Sequence, residues 1–401
     1  MVRGVVGKGV SMRRIGIIGG GQLAWMMAEG AKALNLELMV QTPHQGDPAV
    51  AIAAQTILAP ITDVVATQKL AQYCDAISFE NEFVDLEALA ALAERGALFR
   101  PRLAALAPLV DKYTQRQCLA AAGLPNPPFV ILSPGQDLAQ VKADATCLGW
   151  PLVMKTRRLG YDGQGTFVVK SWQQLQATWD RINCPEVLIE AFIPFEKELA
   201  VMVARGVDGQ VVVYPTVETQ QIDQVCRRVI APASVSEAVQ RQAADLARTF
   251  VEHLDYVGVL GMELFLAGDR LLVNEVAPRP HNSGHYSLDA CQTSQFEQQL
   301  RAVSGQPLGS SAMTCKRAVM VNLLGFETAH HDYGEQRSHL AQIPNAHLYW
   351  YNKAESRPGR KLGHVTVTLP ADTDLNDLIQ QIEACWYPSP DFRNDTLALS
   401  P

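Results

Sequence analysis

The chain has 401 residues, of which 48% are hydrophobic and 19% charged, and its formal net charge is −7. That length exceeds what one core organises, so two or three domains are expected. The acidic balance excludes a general attraction to nucleic acid or to an anionic membrane, no apolar run is long enough to span a bilayer, and a phosphate-bearing substrate would need a local basic pocket. Eight cysteines are scattered without C-x-x-C pairs or Cys/His metal spacing, which suits free thiols in a reducing cytoplasm.

Residues 1–13 lack the apolar core of a signal peptide and read as a disordered extension, or else Met12 is the truer start. A buried strand is expected at 14–18, a helix at 22–34, a second strand at 36–41, a helix at 66–72, a strand at 76–79 and a helix at 86–94. Strands alternating with helices imply a parallel α/β sheet, here a Rossmann-like unit over 14–110. Helices at 111–122 and 137–148 follow. Residues 150–169 then read as two strands joined by a Gly-rich loop. Further strands are expected at 186–190, 198–205 and 210–217, a long helix at 235–254 and a hairpin at 257–276. This α+β stretch spans 111–305, with a mobile lobe at about 123–193. A small strand-rich domain covers 306–385, with strands at 317–324, 346–351 and 364–369, and 386–401 forms a loose tail.

The first strand runs into IGIIGGGQLA, residues 15–24, which is close to the G-x-G-x-x-A dinucleotide fingerprint. A dinucleotide site also needs an acid at the end of the second strand to hold the ribose. Gln41 and Thr42 stand there, and Asp47 lies too far out, so a nicotinamide or flavin dehydrogenase is disfavoured. A different ligand at the same sheet edge, or a plain strand-to-helix turn, remains for these glycines.

KTRRLGYDGQG, 155–165, offers three glycines after a strand lysine. Glycines let backbone N–H groups approach anionic oxygens, so this loop suits a flap over polyphosphate. Its spacing is not that of a P-loop, and a solvated hairpin tip is the bland reading. In the hairpin 261–285, a turn at Gly268–Arg270 sets Glu263 opposite Glu275 on one face. Facing carboxylates repel unless a divalent cation lies between them, and magnesium uses one or two carboxylates plus phosphate oxygens. Asn274 would complete that shell. Arg279, His281, Asn282, Ser283, Gly284 and His285 follow at once, a donor cluster suited to a small anion near the transferring phosphoryl group. Lys353, Arg357, Arg360 and Lys361 form a basic island that suits a phosphate monoester; a solvated turn is the alternative there.

Together these stretches resemble the ATP-grasp superfamily, and within it the bicarbonate-fixing 5-(carboxyamino)imidazole ribonucleotide synthetases of purine synthesis. The resemblance rests on GGGQLA (19–24), SFENE (78–82), KTRRLGYDGQG, EAFIPFEKE (190–198), ME (262–263), NEVAPRPHNSGH (274–285) and YNKAESRPGRKLGH (351–364). It implies a Rossmann-like pre-ATP-grasp domain, a two-lobed ATP-grasp domain and a small C-terminal domain. ATP, the co-substrate, is then expected on Lys112, Lys155, the loop of Gly160, Tyr161, Asp162, Gly163, Gln164 and Gly165, the hinge of Glu190, Ala191, Phe192 and Ile193, and on Glu198, Gln221, Asn274 and Glu275. Glu198 would hold the ribose, and Gln221 stands where some relatives carry His. Magnesium, or manganese in its place, would sit on Glu263 and Glu275. The aminoimidazole ribonucleotide would lie on Gln22, Leu23 and Glu82, with its phosphate on Lys353, Arg360 and Lys361. Arg279, His281 and Asn282 would surround bicarbonate and the reacting amine, while Tyr161 and Asp162 close the lid. A cytoplasmic homodimer passing its product to a separate mutase is implied as well. The sister ligase that activates formate for glycinamide ribonucleotide is the alternative within the superfamily, and a non-catalytic nucleotide sensor is the alternative outside it.

Overall fold

The computed structural model describes residues 12–158, 165–370 and 374–388. Most of the 1–13 head, the loop residues Gly160, Tyr161, Asp162, Gly163 and Gln164, and most of the 386–401 tail lie outside the described residues.

The apolar run RIGII folds as strand Arg14–Ile18 and pairs in parallel with Glu37–Thr42 on one side and Ala76–Phe79 on the other. A fourth strand, Gln55–Leu58, closes the edge. Its residues are only partly covered, so it lacks the buried apolar signature that marks the inner strands. The helix expected over 22–34 is two short helices, Gln22–Trp25 and Ala28–Ala33. Leu23, Ala24, Met26, Met27 and Ala31 are all buried, so this segment packs around more than one stripe. At Gly30 an added Cβ would come within 2.9 Å of Glu297 Cα, a close approach that joins this helix to Gln295–Ser304.

The lobe containing residues 129–191 is an antiparallel sheet in the order Phe129–Leu132, Val187–Ala191, Leu152–Thr156, Thr166–Val169. Lys155 pairs with Thr166 at the mouth of the Gly-rich loop, as the hairpin reading requires. Helices Leu138–Leu148 and Trp172–Arg181 cover the sheet, capped by Asp137 and Ser171.

The remaining strands form one large sheet. Its order is Arg270–Ala277, Gly258–Ala267, Lys197–Arg205, Val217–Ile222, Val225–Ala231, Arg317–Leu324, Lys361–Leu369 and Ala346–Trp350, with Val211–Val213 added to Lys197–Arg205. The C-terminal strands therefore continue the same sheet. The single strand expected at 210–217 is two, interrupted around Pro215, which lacks the N–H a ladder needs. Val225–Ala231 escapes sequence patterning because two of its buried residues, Arg227 and Arg228, are charged. Both engage Glu383 of helix Leu375–Trp386, at 3.2 and 2.7 Å.

Helix Gln295–Ser304 joins the units. Phe296, Leu300 and Val303 enter the N-terminal core, and the Gln299 amide donates to Ser78 Oγ at 2.8 Å. Three buried glutamines give this helix a polar look that hides it in the sequence.

Beneath the C-terminal strands, His285 and His364 are buried with ring centroids 5.1 Å apart. Burial holds His364 down to about 3 and His285 well below its ordinary value. Unfolded histidines take up protons below about pH 6.5, whereas these resist. Protons therefore favour the unfolded chain, and stability falls as pH drops from about 6.5 towards 3, by up to about 1.4 kcal/mol per pH unit per histidine. Denaturant unfolding across that range should show the slope, and His364→Gln should make it shallower.

Candidate active site

The candidate site is built on the hairpin of strands Gly258–Ala267 and Arg270–Ala277. Glu263 does pair with Glu275, but the hairpin turn is the two residues Gly268 and Asp269, since Ala267 pairs with Arg270. The turn expected at Gly268–Arg270 is thus one residue too long. A β-bulge between Glu263 and Leu264 restores the register, leaving Asn274 as the extra residue. Bulges re-aim side chains, and this one turns Asn274 onto the carboxylate face. Its Nδ2 donates to Glu263 Oε2 at 3.3 Å, and its Oδ1 accepts from Lys155 Nζ at 3.1 Å.

Lys112 and Arg116 lie four apart on helix Lys112–Ala121, on one face. Asp111 caps this helix and also takes Arg157 at 3.0 Å, tying the base of the Gly-rich loop to it. Lys112 Nζ reaches Glu275 Oε2 at 2.7 Å. Arg116 bonds Glu190, and Lys155 Nζ meets the other Glu190 oxygen at 2.7 Å. All three side chains of that triad are buried. Burial pushes Glu190 up, but Lys155 and Arg116 outweigh it and hold the carboxyl down at about 2. Burial likewise depresses the Lys155 ammonium, against the pull of Glu190.

The facing acids behave oppositely. Burial and the neighbouring Glu275 drive the Glu263 carboxyl well up. Partial enclosure raises Glu275 too, but Lys112 outweighs it and holds Glu275 below its ordinary value. This is the electrostatic mark of a pair that a cation would relieve. Among the described residues no three His, Cys, Asp or Glu side chains converge as a metal cage. Two carboxylates with an amide oxygen beside them fit magnesium, which takes its remaining ligands from water and phosphate. His281 Nε2 stands 3.5 Å from Glu263 Oε1. Glu198, raised by burial, hydrogen-bonds Gln221 from the neighbouring strand.

At the edge of the N-terminal sheet, Arg279 makes a bidentate pair with Glu82 at 2.6 and 3.2 Å. Asn282 faces Asn322, each amide donating to the other at 2.9 and 2.7 Å. Lys353 Nζ donates to the Lys361 carbonyl at 2.7 Å, and Arg360 Nη1 to the Glu355 carbonyl at 2.8 Å, so the basic turn is internally braced. Lys361 is near enough to lower Glu263, which links the basic turn to the paired acids. Gly165 is described, while the rest of the loop is not. The glycines of the first turn contact the protein itself: Gly20 packs on Thr42, and Gly19 and Gly21 on Glu80. Gln41 is buried and spent on Pro60, Asp63 and Thr67, so the position of a dinucleotide-binding acid is structurally occupied.

Arg116, Asn322 and Glu80 escaped the sequence reading. The four-residue spacing from Lys112 was a signal for Arg116, and SFENE contained Glu80. Nothing local in the sequence points to Asn322.

Residues 117–296 match the ATP-grasp domain, residues 12–108 the ribonucleotide synthetase pre-ATP-grasp domain, and residues 318–378 the phosphoribosylaminoimidazole carboxylase C-terminal domain. Fold and site together define an ATP-grasp enzyme, a carbon–nitrogen ligase by class. The chain is 54% identical over 386 residues to the N5-carboxyaminoimidazole ribonucleotide synthase of Synechococcus elongatus, covering 95% of this chain and 97% of that one. It is 39% identical to the Bacillus subtilis enzyme of the same name, covering 93% and 95%. A crystal structure of the Aspergillus clavatus enzyme with ADP and 5-aminoimidazole ribonucleotide superposes with a TM-score of 0.84 at 32% identity, covering 94% and 98%. The same enzyme with ATP gives 0.86 at 34%, again covering 94% and 98%. The chain belongs to the N5-carboxyaminoimidazole ribonucleotide synthase family.

Proposed function

We propose that this chain carboxylates 5-aminoimidazole ribonucleotide with bicarbonate, consuming ATP and releasing ADP and phosphate. The observation that carries the reading is the facing Glu263–Glu275 pair, joined through Asn274, Lys155 and Lys112 to one polar network. The relatives are named for this reaction, which sets aside the formate-dependent glycinamide ribonucleotide ligase.

In this reading the adenine lies on the main chain of Ala191, Phe192 and Ile193, because the Glu190 side chain is spent on Arg116 and Lys155. Glu198 holds the ribose, and Gln221, hydrogen-bonded to it, is an auxiliary ATP contact. Glu263, Asn274 and Glu275 hold magnesium, which when bound neutralises phosphate oxygens. Lys155 and Lys112 place positive charge along the triphosphate, where phosphoryl transfer depends on positioning and electrostatics. A bicarbonate oxygen attacks the γ-phosphorus as the bond to ADP breaks, giving carboxyphosphate. This splits into carbon dioxide and phosphate, and the exocyclic amine captures the carbon as a carbamate. Arg279 and His281 border that reaction, and the 158–165 loop, with Tyr161 and Asp162, excludes water. Asn282, the third residue of the bicarbonate surround, is held by its amide pair with Asn322. The ribonucleotide rests on Gln22, Leu23 and Glu82, and its phosphate on Lys353, Arg360 and Lys361. A cytoplasmic homodimer and hand-off to a separate mutase complete the reading; no helix among the described residues is long and apolar enough to cross a membrane.

The test is ADP release with bicarbonate, with and without aminoimidazole ribonucleotide. Strong dependence on the ribonucleotide supports the assignment, and equal release with glycinamide ribonucleotide and formate rejects it. Arg360→Ala should raise KM for the ribonucleotide about tenfold, the scale of one lost charged hydrogen bond to phosphate, with KM for ATP unchanged.

A further inference from the structure

Glu80 lies outside every role assigned above, yet it sits at the carboxyl end of the N-terminal sheet, against the glycine turn. It follows directly on strand Ala76–Phe79 and reaches across to the glycine turn. The Leu23 N–H donates to its Oε1 at 3.3 Å, and the Gly21 N–H bonds it as well. A Cβ at Gly19 would stand 2.5 Å from Glu80 Oε2, and one at Gly21 2.4 Å from Oε1. The turn is therefore glycine-built to admit this carboxylate. In dinucleotide-binding folds the corresponding turn lets its backbone approach a pyrophosphate.

We propose that Glu80 is a positioning residue whose carboxylate fills the amide nest of the glycine turn in place of a ligand phosphate, fixing Gln22 and Leu23 against the ribonucleotide. A carboxyl already in the nest takes the N–H donors and the space that a phosphate would use, and its ionised form repels that phosphate. The sugar phosphate is thereby directed to the Lys353, Arg360 and Lys361 turn, and the ribonucleotide enters in one orientation. Burial pushes the Glu80 carboxyl up to about 7; the Arg279 charge and the Gly21 and Leu23 N–H groups pull the other way, and Glu82 adds to the rise.

This role rests on the ribonucleotide reading above, and the test separates the two. Calorimetry gives Kd for aminoimidazole ribonucleotide in the presence of ADP, and steady-state ADP release gives kcat and both KM values. Glu80→Gln is expected to raise ribonucleotide Kd and KM about tenfold, with kcat and KM for ATP within about twofold. Gly21→Ala leaves Glu80 chemically intact. The Gly21 backbone, at φ −74° and ψ −163°, accepts alanine, so the new Cβ acts by displacing the carboxylate. It should reproduce the same selective loss with little change in thermal unfolding. Unchanged ribonucleotide Kd in both variants overturns the proposal, as does a fall in kcat without a change in KM. Wild-type protein that binds the ribonucleotide without releasing ADP overturns the functional reading alone. Wild-type protein that does not bind it overturns both.

Discussion

Glu263→Gln is expected to abolish most activity while leaving the fold as stable as before, or slightly more so. The two acids face each other with only Asn274 between their chemistry and Lys155, and Glu263 is driven up by burial and by Glu275. Neutralising it removes a like-charge repulsion across a strand pair, worth a few tenths of a kcal/mol. It also removes one of the two carboxylates proposed for magnesium, so kcat/KM should fall on the order of 10³-fold, the scale reached when one preorganised charge contact is lost. Glu275→Gln should cost similar activity, but it also strips Lys112 of its 2.7 Å partner, so its stability change should be unfavourable. Kinetics and unfolding measured on both variants check the asymmetry. Retained activity in Glu263→Gln would falsify the metal role of the pair.

Glu190→Gln should act the other way round, on stability first. Glu190 is buried between Arg116 and Lys155, and a neutral amide would leave two buried cations with no compensating anion. Breaking a buried pair by removing one member costs about 3–5 kcal/mol. The wild type carries the same information in its pH dependence. With its pKa held at about 2, below its unfolded value, Glu190 contributes stability above about pH 4.5 that is lost as pH falls towards 2. Roughly 3 kcal/mol is at stake over that interval. Denaturant titrations at pH 6 and pH 3 should show the gap between wild type and Glu190→Gln narrowing at the lower pH. A constant gap would mean that Glu190 acts by packing alone. The two histidines destabilised by acid lie elsewhere, beneath the C-terminal strands, so Glu190→Gln leaves their slope in place.

These two expectations use different layers of the site. The first concerns charge left open towards a substrate; the second concerns charge closed off in the wall behind it. Lys155 belongs to both, since its ammonium touches Glu190 on one side and Asn274 on the other. Lys155→Ala should therefore lower both activity and stability, whereas Lys155→Arg would keep the charge but not the compact geometry.

Periodicity and motif chemistry in the sequence were enough to mark the parallel N-terminal sheet, the hairpin carrying Lys155 and the facing acids, because alternation and turn residues act locally. They also marked Gln41 as a departure from dinucleotide binding. Four things were decided only in three dimensions. The bulge at Glu263, invisible in composition, turns Asn274 onto the acid face and corrects the turn length. Polar segments such as Val225–Ala231 and Gln295–Ser304 become core elements because partners distant in sequence, Glu383 and Ser78 among them, satisfy their charges and amides. The first-turn glycines pack on Glu80, nearly sixty residues away. The C-terminal strands join the large sheet through the pairing of Val225–Ala231 with Arg317–Leu324, which brings Asn322 to Asn282. Each of these depends on a long-range partner, and a linear pattern carries no record of which buried polar group will meet which.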